Sequence, residues 1–185
     1  LRWNRERFDD LRFRQRVLRD VGDLDLGVTL LGRKRPVPVL FAPTASNAIA
    51  HPEGELAVAR GAGATGTTYV LSTGSNTAIE AVIKAATEPV WFQLYIQTDR
   101  GFTEHLVRRA EAAGAEALCI TVDAPVPGAR TRSERAGYAL PPGLTVPMLQ
   151  GVARPDSVVT LDEVTPARMV WRDIEELIAF TRLPV

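Results

Sequence analysis

Two runs of the chain set apolar and polar residues in the same order. Val90-Trp91-Phe92-Gln93-Leu94-Tyr95 spaces Gln93 and Tyr95 by two positions, and Leu118-Cys119-Ile120-Thr121-Val122-Asp123 does the same with Thr121 and Asp123. In a strand, residues i and i+2 point to one face. Each run therefore ends in two polar side chains on one side, with apolar residues between. Near-continuous hydrophobic strands belong to parallel sheets covered by helices. Such sheets hold ligands beyond the carboxyl ends of their strands, so the pattern points to a piece of an enzyme.

The rest of the chain repeats the theme. Residues 4–35 are rich in arginine and aspartate with Phe8, Leu11, Phe13 and Leu18 among them, which predicts a short helix and then irregular chain. The proline-bounded run 36–43 predicts strand one, and the alanine-rich stretch 54–64 a helix. Strand two falls at 69–71, followed by the turn-forming Ser72-Thr73-Gly74-Ser75-Asn76. Thr77 and Glu80 have capping-box spacing ahead of Ile79, Val82 and Ile83. Strand three covers 90–94, and Asp99 caps a helix whose Phe102, Leu106, Val107 and Ala110 share a face ending near Gly114. Strand four covers 117–122. Four strands alternating with helices, in repeats of 25–30 residues, predict parallel pairing with right-handed crossovers. Residues 124–166 are proline- and glycine-rich and read as a long loop after strand four. A helix follows over 171–178, and Leu183-Pro184-Val185 opens strand five.

Composition narrows the functional classes. A length of 185 residues suffices for one domain with a real core. The formal charge of zero gives no general attraction to nucleic acid. One cysteine excludes an internal disulfide, and Cys119 reads as a small core residue in an apolar run. With two histidines and that cysteine, a zinc site is not expected. No stretch reaches the roughly 18 apolar residues of a membrane helix, and the first residues carry no signal pattern. The expected location is cytoplasmic, with peripheral membrane association the variant.

The strand ends concentrate the chemistry. Strand one ends in Ala42-Pro43-Thr44-Ala45 and strand two in Ser72-Thr73-Gly74-Ser75; strand three ends in Gln93 and Tyr95, and strand four in Thr121 and Asp123. Small residues let a flat ring lie against backbone, and amides and hydroxyls donate and accept along a heterocycle's edge. This is a bed for a planar cofactor, with Tyr95 and Asp123 left to face a substrate. Singly, each has an ordinary reading: Ser72 or Thr121 as a strand-end residue, Gln93 as a partner for buried backbone, Asp123 as a turn starter before Ala124-Pro125. Arg130, Arg132 and Arg135 read from spacing alone as solvated charges, and His51 and His105 as structural or exposed.

Taken together the segments resemble a known family, the FMN-dependent 2-hydroxy acid oxidases and dehydrogenases such as glycolate oxidase, lactate oxidase, and lactate and mandelate dehydrogenases. The matching segments are Ala42-Pro43-Thr44-Ala45, His51-Pro52-Glu53-Gly54-Glu55, Leu71-Ser72-Thr73, Trp91-Phe92-Gln93-Leu94-Tyr95, Thr121-Val122-Asp123-Ala124-Pro125, Gly128-Ala129-Arg130, Trp171-Arg172-Asp173 and Thr181-Arg182-Leu183-Pro184. They follow the family's order over nearly the whole chain. The resemblance implies a (β/α)8 TIM barrel, of which residues 1–185 supply the first four βα units as the N-terminal half of a flavin-binding domain. It implies FMN at the mouth, with Ala42, Pro43, Thr44 and Ala45 behind the ring and Ser72, Gln93 and Thr121 on its polar edge. Tyr95 would reach the carboxylate or hydroxyl of a small 2-hydroxy acid, Arg130 would bind the same substrate, and Asp123 would orient a catalytic histidine. The resemblance also implies an electron acceptor (oxygen, quinone or cytochrome) and a homo-oligomer, often a tetramer.

The same resemblance places several parts of the site beyond Val185. These are a lysine past strand five, the general-base histidine, a second substrate arginine and the phosphate-binding loops. His51 and His105 match no catalytic position, and Ala129 stands where some members carry a second arginine. A separate half barrel would keep open strand edges, so alone it is expected to be unstable or to self-associate, and to bind FMN poorly. Two rival readings follow: a non-catalytic half-barrel scaffold, and a flavin barrel that modifies a peptide-derived substrate.

Overall fold

The structure is a computed structural model that describes residues 2–123, 131–139, 141–150 and 169–185. Helix α1 (Arg2–Asp9) opens the chain and buries none of its residues. An antiparallel hairpin follows, β1 (Val28–Leu30) with β2 (Arg33–Arg35), where irregular chain was expected. Its turn uses Leu31 and Gly32, both at positive φ, the conformation that two-residue hairpin loops require. The charged strand Arg-Lys-Arg carries no hydrophobic alternation, so the pattern did not announce it.

Helix α2 (Gly54–Ala64), β3 (Tyr69–Ser72), α3 (Ile79–Ala85), β4 (Val90–Leu94), α4 (Arg100–Ala113) and β5 (Leu118–Ile120) then alternate as the sequence predicts. The three strands pair in parallel and in chain order, with Leu71 opposite Phe92 and Phe92 opposite Leu118. Expected strand one reduces to a single bridge at Phe41, whose amide donates to the Thr68 carbonyl (3.0 Å) and whose carbonyl accepts from Val70 (3.0 Å). Pro36, Pro38 and Pro43 have no N–H to offer a ladder, so the segment lies beside β3 without zipping to it. On the far side the Leu118 amide donates to the Pro184 carbonyl (2.8 Å), so the chain returns beside β5 where strand five was expected.

The core is the apolar interface between this sheet and its helices. Tyr69, Leu71, Phe92 and Leu94 of the strands meet Ile79 and Val82 of α3 and Leu106, Val107 and Ala110 of α4, all of them buried. Asp99 caps α4 by accepting from the Phe102 amide (3.1 Å), and Gly114 closes it in the left-handed conformation, as the sequence indicates. The capping box expected at Thr77 and Glu80 is absent. Ala78 occupies the cap position of α3, the Thr77 hydroxyl donates to Glu55 (2.8 Å), and Glu80 pairs with Arg109 of α4 (2.6 Å). Tertiary partners outcompete the local box for both side chains. Cys119 is half-buried rather than fully enclosed.

Of the loop expected over 124–166, residues 124–130, 140 and 151–166 lie outside the described residues; the described part holds a short helix α5 (Thr131–Arg135) and a 3-10 turn over Pro147–Leu149. Met148 and Leu149 are buried, and the Arg109 guanidinium donates to the Pro147 carbonyl (3.2 Å), so this loop docks back on the body. Helix α6 (Trp171–Phe180) is tied to the start of α4 by Arg100, which pairs with both Asp173 and Glu176. Among the described residues no helix is long and apolar enough to cross a membrane.

The β1–β2 hairpin is fastened at the amino end of the sheet. Glu116, just before β5, pairs with Arg35, accepts from Trp91 Nε1 (2.8 Å) and lies 2.8 Å from Arg33 Nε. Arg35 is buried. A charge out of water is tolerated only with a partner and hydrogen bonds, and this cluster supplies both.

Candidate functional site

The carboxyl ends of β3, β4 and β5 bring three of the expected residues into one hydrogen-bonded row. The Ser72 hydroxyl donates to Gln93 Oε1 (3.2 Å), and Gln93 Nε2 donates to the Thr121 hydroxyl (2.8 Å). The register explains the meeting: Ser72 pairs with Gln93, and Thr121 follows the last residue of β5. The orientation of the Gln93 amide is forced. The Thr73 amide donates to Oε1 (3.2 Å), and a backbone N–H can only donate. The carboxamide oxygen must therefore face β3, which turns its nitrogen toward β5.

Thr73 is the residue that sequence reasoning left out of the site. Its hydroxyl donates to the Gln93 carbonyl (2.6 Å) and accepts from the Tyr95 amide (3.3 Å), so it closes the gap between the two strand ends. It and Ser72 are buried, as is Gln93. The hydroxyl-hydroxyl doublet at the end of an apolar run was the available signal.

The other expected residues stand around this row. Tyr95 is half-buried and follows β4, and Asp123 is exposed, in a bend beyond β5. Both strands end earlier than the alternation suggests, so Tyr95, Thr121 and Asp123 sit on the loops at the sheet's edge and not within strands. Ala42, Pro43, Thr44 and Ala45 form an exposed segment beyond the Phe41 bridge. Arg130 lies outside the described residues. His51 is exposed and accepts from the Glu53 amide through Nδ1 (3.2 Å), while His105 is exposed on α4 and stacks near Phe102. Neither joins the row.

Two loops at the mouth are held by a carboxylate that the functional reading overlooked. Glu55, fully buried in the first turn of α2, accepts from the Asn47 amide (3.1 Å), the Asn76 amide (3.0 Å) and the Thr77 hydroxyl (2.8 Å). Gly54 makes this possible: it takes a positive φ of 46°, and a Cβ there would sit 3.2 Å from the Ala48 nitrogen. Burial pushes the nearby Tyr69 phenol up from its ordinary value, and the Glu55 charge adds to the shift. A cavity of about 430 Å³ opens beside this corner, between Phe41, Ala42, Thr44 and α2 residues Ala57, Val58 and Gly61. It flanks the outer edge of the sheet and does not include the Gln93 row.

Among the described residues no cluster of three or more His, Cys, Asp or Glu residues is arranged to hold a metal. What the row offers is donors and acceptors for an uncharged polar edge. Gln93 Nε2 has a second hydrogen beyond its bond to Thr121, and the Thr121 hydroxyl, accepting from Gln93, keeps its own proton to donate. Two carbonyls and a ring nitrogen on a flat heterocycle, as on the pyrimidine edge of FMN, fit that set.

The carboxyl edge of a parallel α/β sheet is where barrels and doubly wound sheets both hold their ligands. The sequence profile described as FMN-dependent dehydrogenase matches residues 1–185. An L-lactate oxidase from Nostoc sp. is 40% identical over 199 residues, covering 100% of this chain and 54% of that protein. Glycolate oxidase 1 from Oryza sativa subsp. indica is 37% identical, over 100% of this chain and 52% of its own length. The structure of a mandelate oxidase variant with (S)-mandelic acid superimposes with a TM-score of 0.84 at 37% identity, over 98% of this chain and 50% of that one. The chain belongs to the FMN-dependent dehydrogenase family. It has the fold of the first half of the family's TIM barrel, and spans about half the length of the curated relatives it matches.

Proposed function

We propose that the protein carrying this chain is an FMN-dependent oxidoreductase that converts a small L-2-hydroxy acid to the 2-oxo acid. The single observation behind this reading is the Ser72–Gln93–Thr121 row at the carboxyl edge of the sheet, whose Gln93 amide and Thr121 hydroxyl each keep a hydrogen to donate. In this reading Ala42, Pro43, Thr44 and Ala45 back the ring, and Ser72, Gln93 and Thr121 contact its polar edge. FMN supplies the acceptor for the two electrons that leave the substrate's α-carbon.

The chain's own residues then bind and orient. Tyr95, half-buried at the end of β4, hydrogen-bonds the substrate carboxylate or hydroxyl, and Arg130 pairs with the carboxylate. Asp123 accepts a hydrogen bond from a histidine outside these 185 residues and stabilises its charge as it takes a proton. Asp123 projects from a loop at the mouth and is exposed in this half, which leaves it open to such a partner. The electron acceptor is oxygen, a quinone or a cytochrome, and the assembled enzyme is a homo-oligomer; lactate and glycolate are the first substrates to try, being those of the relatives.

The test is flavin content and turnover of the full-length protein. An FMN spectrum at one flavin per chain, with 2-oxo acid formed from L-lactate or glycolate, supports the reading. A colourless protein that binds no added FMN overturns it.

A further inference from the structure

Glu55 is a buried carboxylate for which the proposed reaction has no use. Among the described residues its hydrogen bonds all come from neutral donors, two amides and a hydroxyl. Keeping an ionisable group out of water without a cation is costly, so its three bonds and its place in the first turn of α2 must offset that cost. What the bonds join is specific. The Asn47 amide opens the 3-10 turn (Asn47–Ile49) that ends the loop after the Phe41 bridge, and Asn76 and Thr77 belong to the loop after β3.

Both loops lead to the flavin-facing residues. Asn47, held through its backbone by Glu55, donates from Nδ2 to the Thr44 carbonyl (3.0 Å) and reaches the Tyr69 hydroxyl at 3.4 Å. On the other side, the turn before Asn76 is closed by Ser75 N to the Ser72 carbonyl (3.1 Å) and Gly74 N to the Ser72 hydroxyl (3.1 Å). That hydroxyl is the one bonded to Gln93. Ser46 N also donates to the Gly74 carbonyl (3.2 Å), so the two loops touch directly beside the carboxylate that ties them.

We propose that Glu55 is a positioning residue for the flavin, fixing the Thr44 backbone and the Ser72 hydroxyl relative to each other by clamping both loops; this rests on the functional reading above. The clamp depends on acceptor geometry more than on charge. Both amides bond the same oxygen, Oε1, and Thr77 bonds the other. Glu55→Gln keeps an oxygen for the two amides, and its NH2 donates to the Thr77 oxygen instead. Glu55→Ala removes every acceptor and leaves the part-buried Asn47 and Asn76 amides without this partner.

The experiment uses the full-length protein and FMN itself. Apo-protein is prepared for wild type, Glu55→Gln, Glu55→Ala, Asn47→Ala and, as a remote core control, Val107→Ala in α4. For each, thermal stability without FMN, the FMN dissociation constant and the visible circular dichroism of bound FMN are recorded. Glu55→Ala is expected to weaken FMN binding about tenfold or more and to alter the flavin dichroism. Asn47→Ala does so to a smaller degree, because only the Thr44 branch is cut. Glu55→Gln stays within about threefold of wild type, and Val107→Ala lowers stability with binding and dichroism unchanged. If Glu55→Ala binds FMN as wild type does, or weakens it only in proportion to lost stability as Val107→Ala does, the proposal is overturned while the functional reading stands. Wild-type protein that takes up no FMN overturns both.

Discussion

Gln93 Nε2 donates to the Thr121 hydroxyl at 2.8 Å, joining the ends of two parallel strands whose polar residues are 28 positions apart. The bond exists because Thr73 fixes the far side of the same amide. Gln93→Leu keeps the bulk and removes the carboxamide. It strips Ser72 and the Thr73 amide of their acceptor, and buried donors left unpaired cost about 1–3 kcal/mol each. Urea denaturation of the full-length apo-protein is expected to show a loss of about 2 kcal/mol, with FMN affinity falling as well. An unchanged midpoint and affinity would mean the row is not a structural unit.

Asp123 is assigned to orient a base and not to hold flavin. Asp123→Asn is therefore expected to slow flavin reduction about 100-fold, within the usual range for losing general-base support, while the FMN dissociation constant stays within about threefold. Stopped-flow reduction and flavin titration on one preparation separate these effects. A variant that loses FMN but reduces normally when saturated would place Asp123 at the cofactor instead.

At the opposite end of the sheet, Glu116 gathers Arg33, Arg35 and Trp91. Glu116→Ala leaves the buried Arg35 guanidinium without its counterion. Breaking one side of a buried pair costs about 3–5 kcal/mol, and the hairpin should detach first. Hydrogen exchange of the amides at 28–35 in the variant checks this: fast exchange there with the strands still protected is the expected result.

Acid should loosen the return of the chain toward β5. The Arg182 amide holds the Glu111 carboxyl below its ordinary value of 4.5, helped by the Thr181 hydroxyl and Arg108. A depressed folded-state value stabilises the fold above the ordinary carboxylate value, and that share is lost as pH falls through the folded value. Glu80, held down by Arg109, acts in the same direction. Glu111→Gln should therefore flatten, without abolishing, the fall in stability between about pH 5 and pH 3. Thermal melts across that range give the slopes, and identical slopes for variant and wild type would contradict the assignment.

The βα repeat was legible because its signals are local: the apolar run of β4, the Asp99 cap and the Gly114 stop each act within a few residues. The hairpin at 28–35 escaped notice because it is fastened by charge to Glu116, some 80 residues away, and long-range ion pairs leave no period in a sequence. Strand one was overdrawn because apolar character outweighed the missing proline donors. Gln93 and Thr121 were foreseen from the two-residue alternation and Ser72 from the polar end of strand two, and the structure brings the three together. Thr73 and Glu55 were not, since their importance lies in which loops they join. Tyr95 and Asp123 were recognised by type, yet the early ends of β4 and β5 put them on loops.

The most direct measurement is anaerobic mixing of the full-length, FMN-loaded protein with L-lactate or glycolate while its visible absorbance is followed. The account predicts that the yellow colour bleaches and one equivalent of 2-oxo acid appears per flavin. Flavin that stays oxidised with every small L-2-hydroxy acid tried, in protein that binds FMN stoichiometrically, would contradict it.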